Sequence, residues 1–226
     1  MHKPIYFFIS ILLGFSHLLF AQNNDSTALY KPHKFELKFA HLPSLLIISG
    51  ISVSGNEEEG FKKEIVEERN KRFSTFGTHI DNYLQFSPIA IAYGLDALGY
   101  KSKTDIKNRT AILLKGEVLM TGVVFALKKI THQLRPDKSG YNSFPSGHTA
   151  QAFAAATFLS EEYKKKFKWM PYAAYGLASS VAVLRMANNK HYISDVLVGA
   201  GLGILLMKLS YLTHQQKLNK KIAVIL

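Results

Sequence analysis

The chain contains no cysteine. Disulfides, thiolate metal sites and cysteine nucleophiles are excluded together, and either redox compartment remains open. Acidic residues are scarce, 16 Asp and Glu against 28 Lys and Arg, giving a net charge of +12 and a pI near 9.7. Such an excess suits nucleic acid, an anionic membrane surface or a phosphorylated ligand. No nucleic-acid-binding signature accompanies it, so no nucleic-acid partner is expected. The nine histidines include no His-x3-His pair, and neither a metal nor another cofactor is expected. There is no internal repeat, no low-complexity tract and no sustained period-two alternation of the kind that marks strands. Nothing points to an obligate protein partner.

With 226 residues, 47% of them hydrophobic, the chain can bury a sizeable core in one domain but hardly in two. Met1-His2-Lys3 and the uncharged run from Pro4 to Asn24 predict a signal peptide over 1–21, cleaved after Ala21, although Leu19 is larger than is usual there. An uncleaved anchor helix is the alternative, and either exports the remainder of the chain. Residues 22–80 are expected to form an exported segment. It opens with a polar arm to residue 38 and continues with an uncharged buried or membrane-dipping helix from Phe39 to Asn56. Glu57 to Arg72, with six Glu and five Lys or Arg, then reads as a solvated helical face without chemistry.

The helical core is expected over 81–212, followed by a basic tail over 213–226. Its apolar stretches are Asn82–Leu95, Ala111–Leu127, Thr149–Ser160, Trp169–Leu184 and Val196–Met207, all rich in Ala, Leu and Gly. They predict an all-α fold, a helical bundle of about five to six core helices. No uncharged run after the leader reaches the ~20 residues of a comfortable membrane span, and mean hydropathy is only +0.02. A soluble periplasmic domain is therefore one reading. Alternating loop charge favours the other. With crossings at 83–99, 110–127, 149–162, 170–187 and 195–212, three basic clusters fall on one side: Lys101, Lys103, Lys107 and Arg109; Lys164, Lys165, Lys166 and Lys168; and Lys217, Lys220 and Lys221. That is the cytoplasmic signature. Gly199 and Gly203 form a GxxxG pair suited to close helix approach.

Three clusters on the opposite side carry candidate chemistry. In the first, Lys128 and Arg135 stand seven residues apart, two helical turns, with Pro136 setting Arg135 near the helix end. Two cations on one face bind an anion, and Arg grips two oxygens at once. In the second, Pro145-Ser146-Gly147-His148 precedes an Ala-rich helix. Ser146 is a good N-cap, the free N–H groups of the first turn make a phosphate cradle, and His148 stands where it could donate a proton. In the third, Arg185 precedes an Asn188-Asn189 turn, and His191 and Asp195 are four apart on the next helix. A carboxylate there holds an imidazole in the tautomer whose other nitrogen is free to attack.

Taken together, Lys-x6-Arg-Pro, Pro-Ser-Gly-His and Arg-x5-His-x3-Asp resemble the signature of the phosphatidic acid phosphatase type 2 superfamily, which includes the vanadium haloperoxidases. The match runs over residues 128–195. The resemblance implies that His191 attacks phosphorus, oriented by Asp195. It implies that His148 protonates the leaving oxygen and then activates water. Lys128, Arg135 and Arg185 would bind the phosphoryl oxygens, with Ser146 and Gly147 completing the cradle and no metal required. The expected activity is hydrolysis of a phosphate monoester or pyrophosphate on an envelope lipid, at the bacterial inner membrane with the site facing the periplasm. A phosphotransferase with a lipid acceptor, a haloperoxidase and a non-catalytic phosphate- or lipid-binding protein are the alternatives.

One position departs from the pattern, which usually carries Ser before the third-motif Arg; here it is Leu184. If this residue only tunes the site, Leu184→Ser keeps turnover within about tenfold, roughly 1.4 kcal/mol of barrier. Complete loss on assay of the purified variant would show that Leu184 has a packing role the site needs.

Overall fold

The computed structural model describes residues 37–55 and 60–225, with side chains assigned between 39 and 214. The expected signal peptide, most of the polar arm, Glu57-Glu58-Glu59 and the side chains of Lys217, Lys220 and Lys221 lie outside the described residues. After a short 3-10 turn at Leu37–Ala40 come eight α-helices: α1 (His41–Ser52), α2 (Phe61–Arg72), α3 (Ile80–Leu84), α4 (Ser87–Ala97), α5 (Ile106–Thr131), α6 (Gly147–Tyr163), α7 (Met170–Ala187) and α8 (Ile193–Ile225). The described residues are all-helical, with somewhat more helices than the five or six expected. The apolar stretch from Asn82 is two helices rather than one. Pro88 cannot donate to the turn before it and is tolerated only near a helix start, so α3 ends and α4 begins there.

α6 is the centre of the bundle. Its small residues Ala150, Ala152, Ala154, Ala155 and Ala156 are fully buried together with Phe158, Leu159 and Tyr163, as a helix apolar all round must be. α4, α5, α7 and α8 pack around it. α8 approaches closest, because a Cβ on Gly199 would come within 2.6 Å of Ser146 O, and one on Gly203 within 2.9 Å of Ala154 N. The GxxxG pair thus works within the chain. A third glycine, Gly201, faces Ile47 and Pro43 of α1, so the helix within the uncharged stretch, His41–Ser52, is laid along α8.

α5 and the Ile193–His214 part of α8 are each long and apolar enough to cross a membrane. The charges that interrupt α5 have partners inside the bundle: Glu117 accepts from Gln151 Nε2 at 2.9 Å, and Lys115 reaches Thr213. The basic segments around Lys103 and Lys164–Lys168 meet at the C-terminal end of α6, where Lys103 N donates to Glu162 O (3.0 Å) and Lys166 sits over the Tyr100 ring. Arg109 does not belong with these loop charges. It is 1% exposed, pairs with Asp96 at 2.9 Å and donates to Ser102 Oγ at 2.6 Å. The 17 residues of α6 separate this end from Ser146 by about 25 Å at 1.5 Å per residue.

Close backbone approach makes the glycines unequal. Gly203→Val should cost about 1–3 kcal/mol by forcing α8 from α6. Gly122→Ala on α5, where an added Cβ meets nothing within 4 Å, should be neutral or gain about 0.5–1 kcal/mol. Thermal unfolding of both detergent-purified variants checks this, and equal effects would refute the close-packing account.

Candidate active site

Three helix ends and one loop converge at the N-terminal end of α6. Ser146 caps that helix with an extended backbone (φ −71, ψ 112), its Oγ accepting from Thr149 N. The first-turn N–H groups at Gly147 and His148 have no acceptor within the helix and form a local positive pole. Gly147 lies beside Lys128, since a Cβ there would touch Lys128 Cε at 3.8 Å. Lys128, in the last turn of α5, donates to Asn142 O at 2.5 Å and Ser143 O at 3.3 Å, which ties the 132–146 loop back over the helix end.

The first motif is assembled differently from the sequence expectation. α5 stops at Thr131, where His132 turns left-handed (φ 43) and stacks on Tyr141. Lys128 and Arg135 therefore do not share a helical face. The loop returns Arg135 instead, pinned by Arg135 N to Gly140 O at 2.9 Å. Asp137 carries this loop to the third motif, accepting from Lys190 Nζ at 2.5 Å while its N–H donates to Asn189 O.

The third motif keeps its expected turn and the His191–Asp195 contact, but His191 lies two residues ahead of the helix rather than on it. Arg185 lies in the last turn of α7, Asn189 reverses the chain (φ 59), and His191 precedes α8. Asp195, three residues past the helix start cap at Tyr192, accepts from Tyr192 N at 3.0 Å as in a capping box. The same oxygen takes Ser143 Oγ–H at 2.5 Å and faces His191 Nδ1 at 3.4 Å. With Nδ1–H directed at the carboxylate, the Nε2 lone pair is free. Leu184 is half-buried on α7.

Burial pushes His191 down to about 4; the Asp195 bond opposes this, while Lys128 and Arg185 reinforce it. Burial, then repulsion from Arg185, Arg135 and Lys128, also lowers His148 to about 4, against the pull of Asp81. Both imidazoles are neutral at physiological pH. Arg135 is lowered by burial and then by Arg185. The Nε atoms of Arg135 and Arg185 are buried without a hydrogen-bond partner among the described residues, donors left over in a site whose cations outnumber its carboxylates. Among the described residues, no group of three or more His, Asp or Glu could hold a metal ion.

Several contributors escaped the sequence reading. Asp81 is 1% exposed and pairs with Arg185 Nη1 at 2.6 Å, and it also accepts from Asn188 Nδ2 at 3.2 Å. Asn82 Oδ1 meets His148 Nε2 at 2.8 Å. Ser143 holds Asp195. The available signal was a lone carboxylate opening an apolar stretch, which must find a partner when buried. The charged 57–72 segment is also more than a solvated face. Lys62 is buried over the Tyr192 ring at 4.0 Å, and Arg69 Nε donates to Ala187 O at 2.9 Å. Between α2 and the α7–α8 turn lies a cavity of about 290 Å³ with His191 in its wall.

A family model of the PAP2 superfamily matches residues 110–219. The chain is 34% identical over 194 residues to a lipid A 1-phosphatase of Porphyromonas gingivalis, covering 83% of this chain and 43% of that protein. It is 33% identical over 86 residues to a probable lipid phosphate phosphatase 4 of Arabidopsis thaliana, covering 33% and 28%. The chain thus spans less than half the length of both curated relatives. Among solved structures, Aquifex aeolicus LpxE superposes with a TM-score of 0.52 at 23% identity, covering 69% of this chain and 97% of that one. A transmembrane PAP2-type phosphatidylglycerolphosphate phosphatase from Bacillus subtilis gives 0.50 at 20% identity, covering 78% and 97%. These two likenesses are likenesses of fold. The motifs, the family match and the helical architecture agree, and the chain belongs to the PAP2 superfamily.

Proposed function

We propose that this protein is a membrane-bound phosphatase that hydrolyses the phosphate monoester or pyrophosphate of an envelope lipid through a phosphohistidine at His191. The observation that carries this reading is the buried His191–Asp195 pair beside Lys128 and Arg185, the same cations that act on His148 at the start of α6. His191 Nε2 attacks phosphorus, the ester P–O bond breaks, and the leaving oxygen takes a proton from His148. Water then attacks the phosphohistidine, gives its proton to His148, and phosphate departs. The neutral His191 of the free site is already competent to attack. His148 must first be protonated. A bound phosphate favours this, because it offsets the cations that add to burial in holding His148 low. Lys128, Arg135 and Arg185 would stabilise the equatorial oxygens in the transition state.

The similarity to the Porphyromonas protein supports a phosphorylated lipid, and makes lipid A phosphate the first substrate to assay beside undecaprenyl pyrophosphate and phosphatidylglycerol phosphate. The separation of the basic loops from the site along α6 supports an inner-membrane location with the site on the periplasmic side.

His191→Ala should abolish turnover and phosphoenzyme labelling, and His148→Ala should lower turnover about 10²–10⁴-fold. Activity should survive EDTA, and vanadate should inhibit. Loss of activity on chelation, restored by zinc or magnesium, or near-normal turnover of His191→Ala, would overturn the mechanism.

Topology is checked by single cysteines in this cysteine-free chain. Ser139→Cys should react with an impermeant thiol reagent in spheroplasts, and Lys101→Cys only after the membrane is opened. Equal labelling, with protein in the soluble fraction, would favour a secreted domain.

A further inference from the structure

The short helix α3 enters the site from outside all three motifs. Its Asp81 is anchored by Arg185 and Asn188, and Asn188 also exchanges two bonds with Thr78, accepting from Thr78 N and donating to Thr78 O, each at 2.9 Å. Gln85 closes the segment from the other end by donating to Asn82 O at 2.8 Å. The backbone at Asn82 is therefore fixed, although its side chain is exposed. An exposed amide competes poorly with water for a partner unless its backbone is already held. Here it is held, and Oδ1 lies 2.8 Å from His148 Nε2.

We propose that Asn82 is a positioning residue for the proton-transfer steps: its amide fixes the His148 ring, and its lack of charge leaves that ring able to surrender its proton. This rests on the proposed acid–base role of His148. With Nε2–H donated to the amide oxygen, the lone pair of the neutral ring is on Nδ1, the nitrogen that takes and gives the proton. A carboxylate at the same place would stabilise the imidazolium and hold that proton back. The charged groups facing His148 are Arg185 from α7, Asp81 from α3, Arg135 from the loop and Lys128 from α5. Three of the four repel a proton. Asp81 is committed to Arg185, so a second carboxylate at residue 82 would change the balance at His148 directly.

The test uses full-length detergent-purified protein with two water-soluble esters. Phenyl phosphate has a leaving group that needs protonation, and p-nitrophenyl phosphate has one that does not. For Asn82→Ala we expect kcat/KM, which reports the phosphorylation step and not the dephosphorylation that both esters share, to fall about tenfold or more on phenyl phosphate, with a much smaller loss on p-nitrophenyl phosphate. For the near-isosteric Asn82→Asp, the pH limb that disappears in His148→Ala should move up by about one unit or more, while His191 still labels with p-nitrophenyl phosphate. Equal losses on both esters in Asn82→Ala, or an unshifted pH limb in a folded Asn82→Asp protein, would overturn the proposal. His148→Ala run in parallel separates the two readings. If it distinguishes the esters and the Asn82 variants do not, only the role of Asn82 fails. If it does not distinguish them, the acid–base reading of His148 fails first.

Discussion

The placement of His148 relative to the His191–Asp195 pair depends on how closely α6 and α8 approach. Gly199 lets the α8 backbone lie against Ser146 O, and Ser146 N donates to Asp195 O at 3.0 Å. The two helix starts are thereby joined backbone to backbone. One carries the cap and His148; the other carries Asp195, with His191 just ahead of it. Helix N-termini favour anions, and two of them side by side would bind phosphate even before side chains are counted. A side chain at Gly199 would separate the starts and leave each histidine with its local partner but without the other.

The Asp195 carboxylate then converts that backbone arrangement into a chemical one. It is fully buried, and a buried carboxylate is tolerable only when its oxygens are satisfied. Ser143, Ser194, Tyr192 N and His191 supply the donors. Each bond does structural service, capping α8 or fastening the 132–146 loop. The same set orients the His191 imidazole as a consequence. Fold stability and imidazole orientation are thus not separable at this residue, and removing the carboxylate would loosen the loop that delivers Arg135 as well as the histidine.

What was legible in the sequence was what is local in the chain. The Ser146 cap, the four-residue spacing of His191 and Asp195 and the Asn188-Asn189 turn are all determined within a turn of helix, and the structure keeps them. The bundle and its glycine seam were legible for a related reason, since composition and period report burial. Lys128 and Arg135 come to the same neighbourhood, as their spacing suggests, but not on one helical face. Both cations do act on His148, but a left-handed residue at His132 ends the helix and a loop does the rest. Asp81 and Asn82 were not legible, because their partners lie 104 and 66 residues away. No spacing rule connects such pairs. Only the cost of an unpaired buried carboxylate hinted that one must exist.

Buried charge also distinguishes the two ends of the bundle. At the basic-loop end, Arg109 is matched by Asp96, Ser102 and the face of Tyr93, and Glu162 by Tyr211 and Thr104 N. Cation and carboxylate there are paired within the protein, and the cluster acts as a clasp between α4, α5, α6 and α8. At the other end Asp81 pairs with Arg185 and Asp195 with His191. Among the described residues, Lys128 and Arg135 have no carboxylate of their own in direct contact with them. Breaking a buried pair costs about 3–5 kcal/mol, so Asp81 is needed to hold Arg185 in place. The remaining positive charge cannot be balanced from within. It is a standing demand for an anion, and repulsion from the same cations adds to the burial that lowers both imidazoles. Under the proposed mechanism an anion in the cradle offsets that repulsion, so its binding favours a proton on His148.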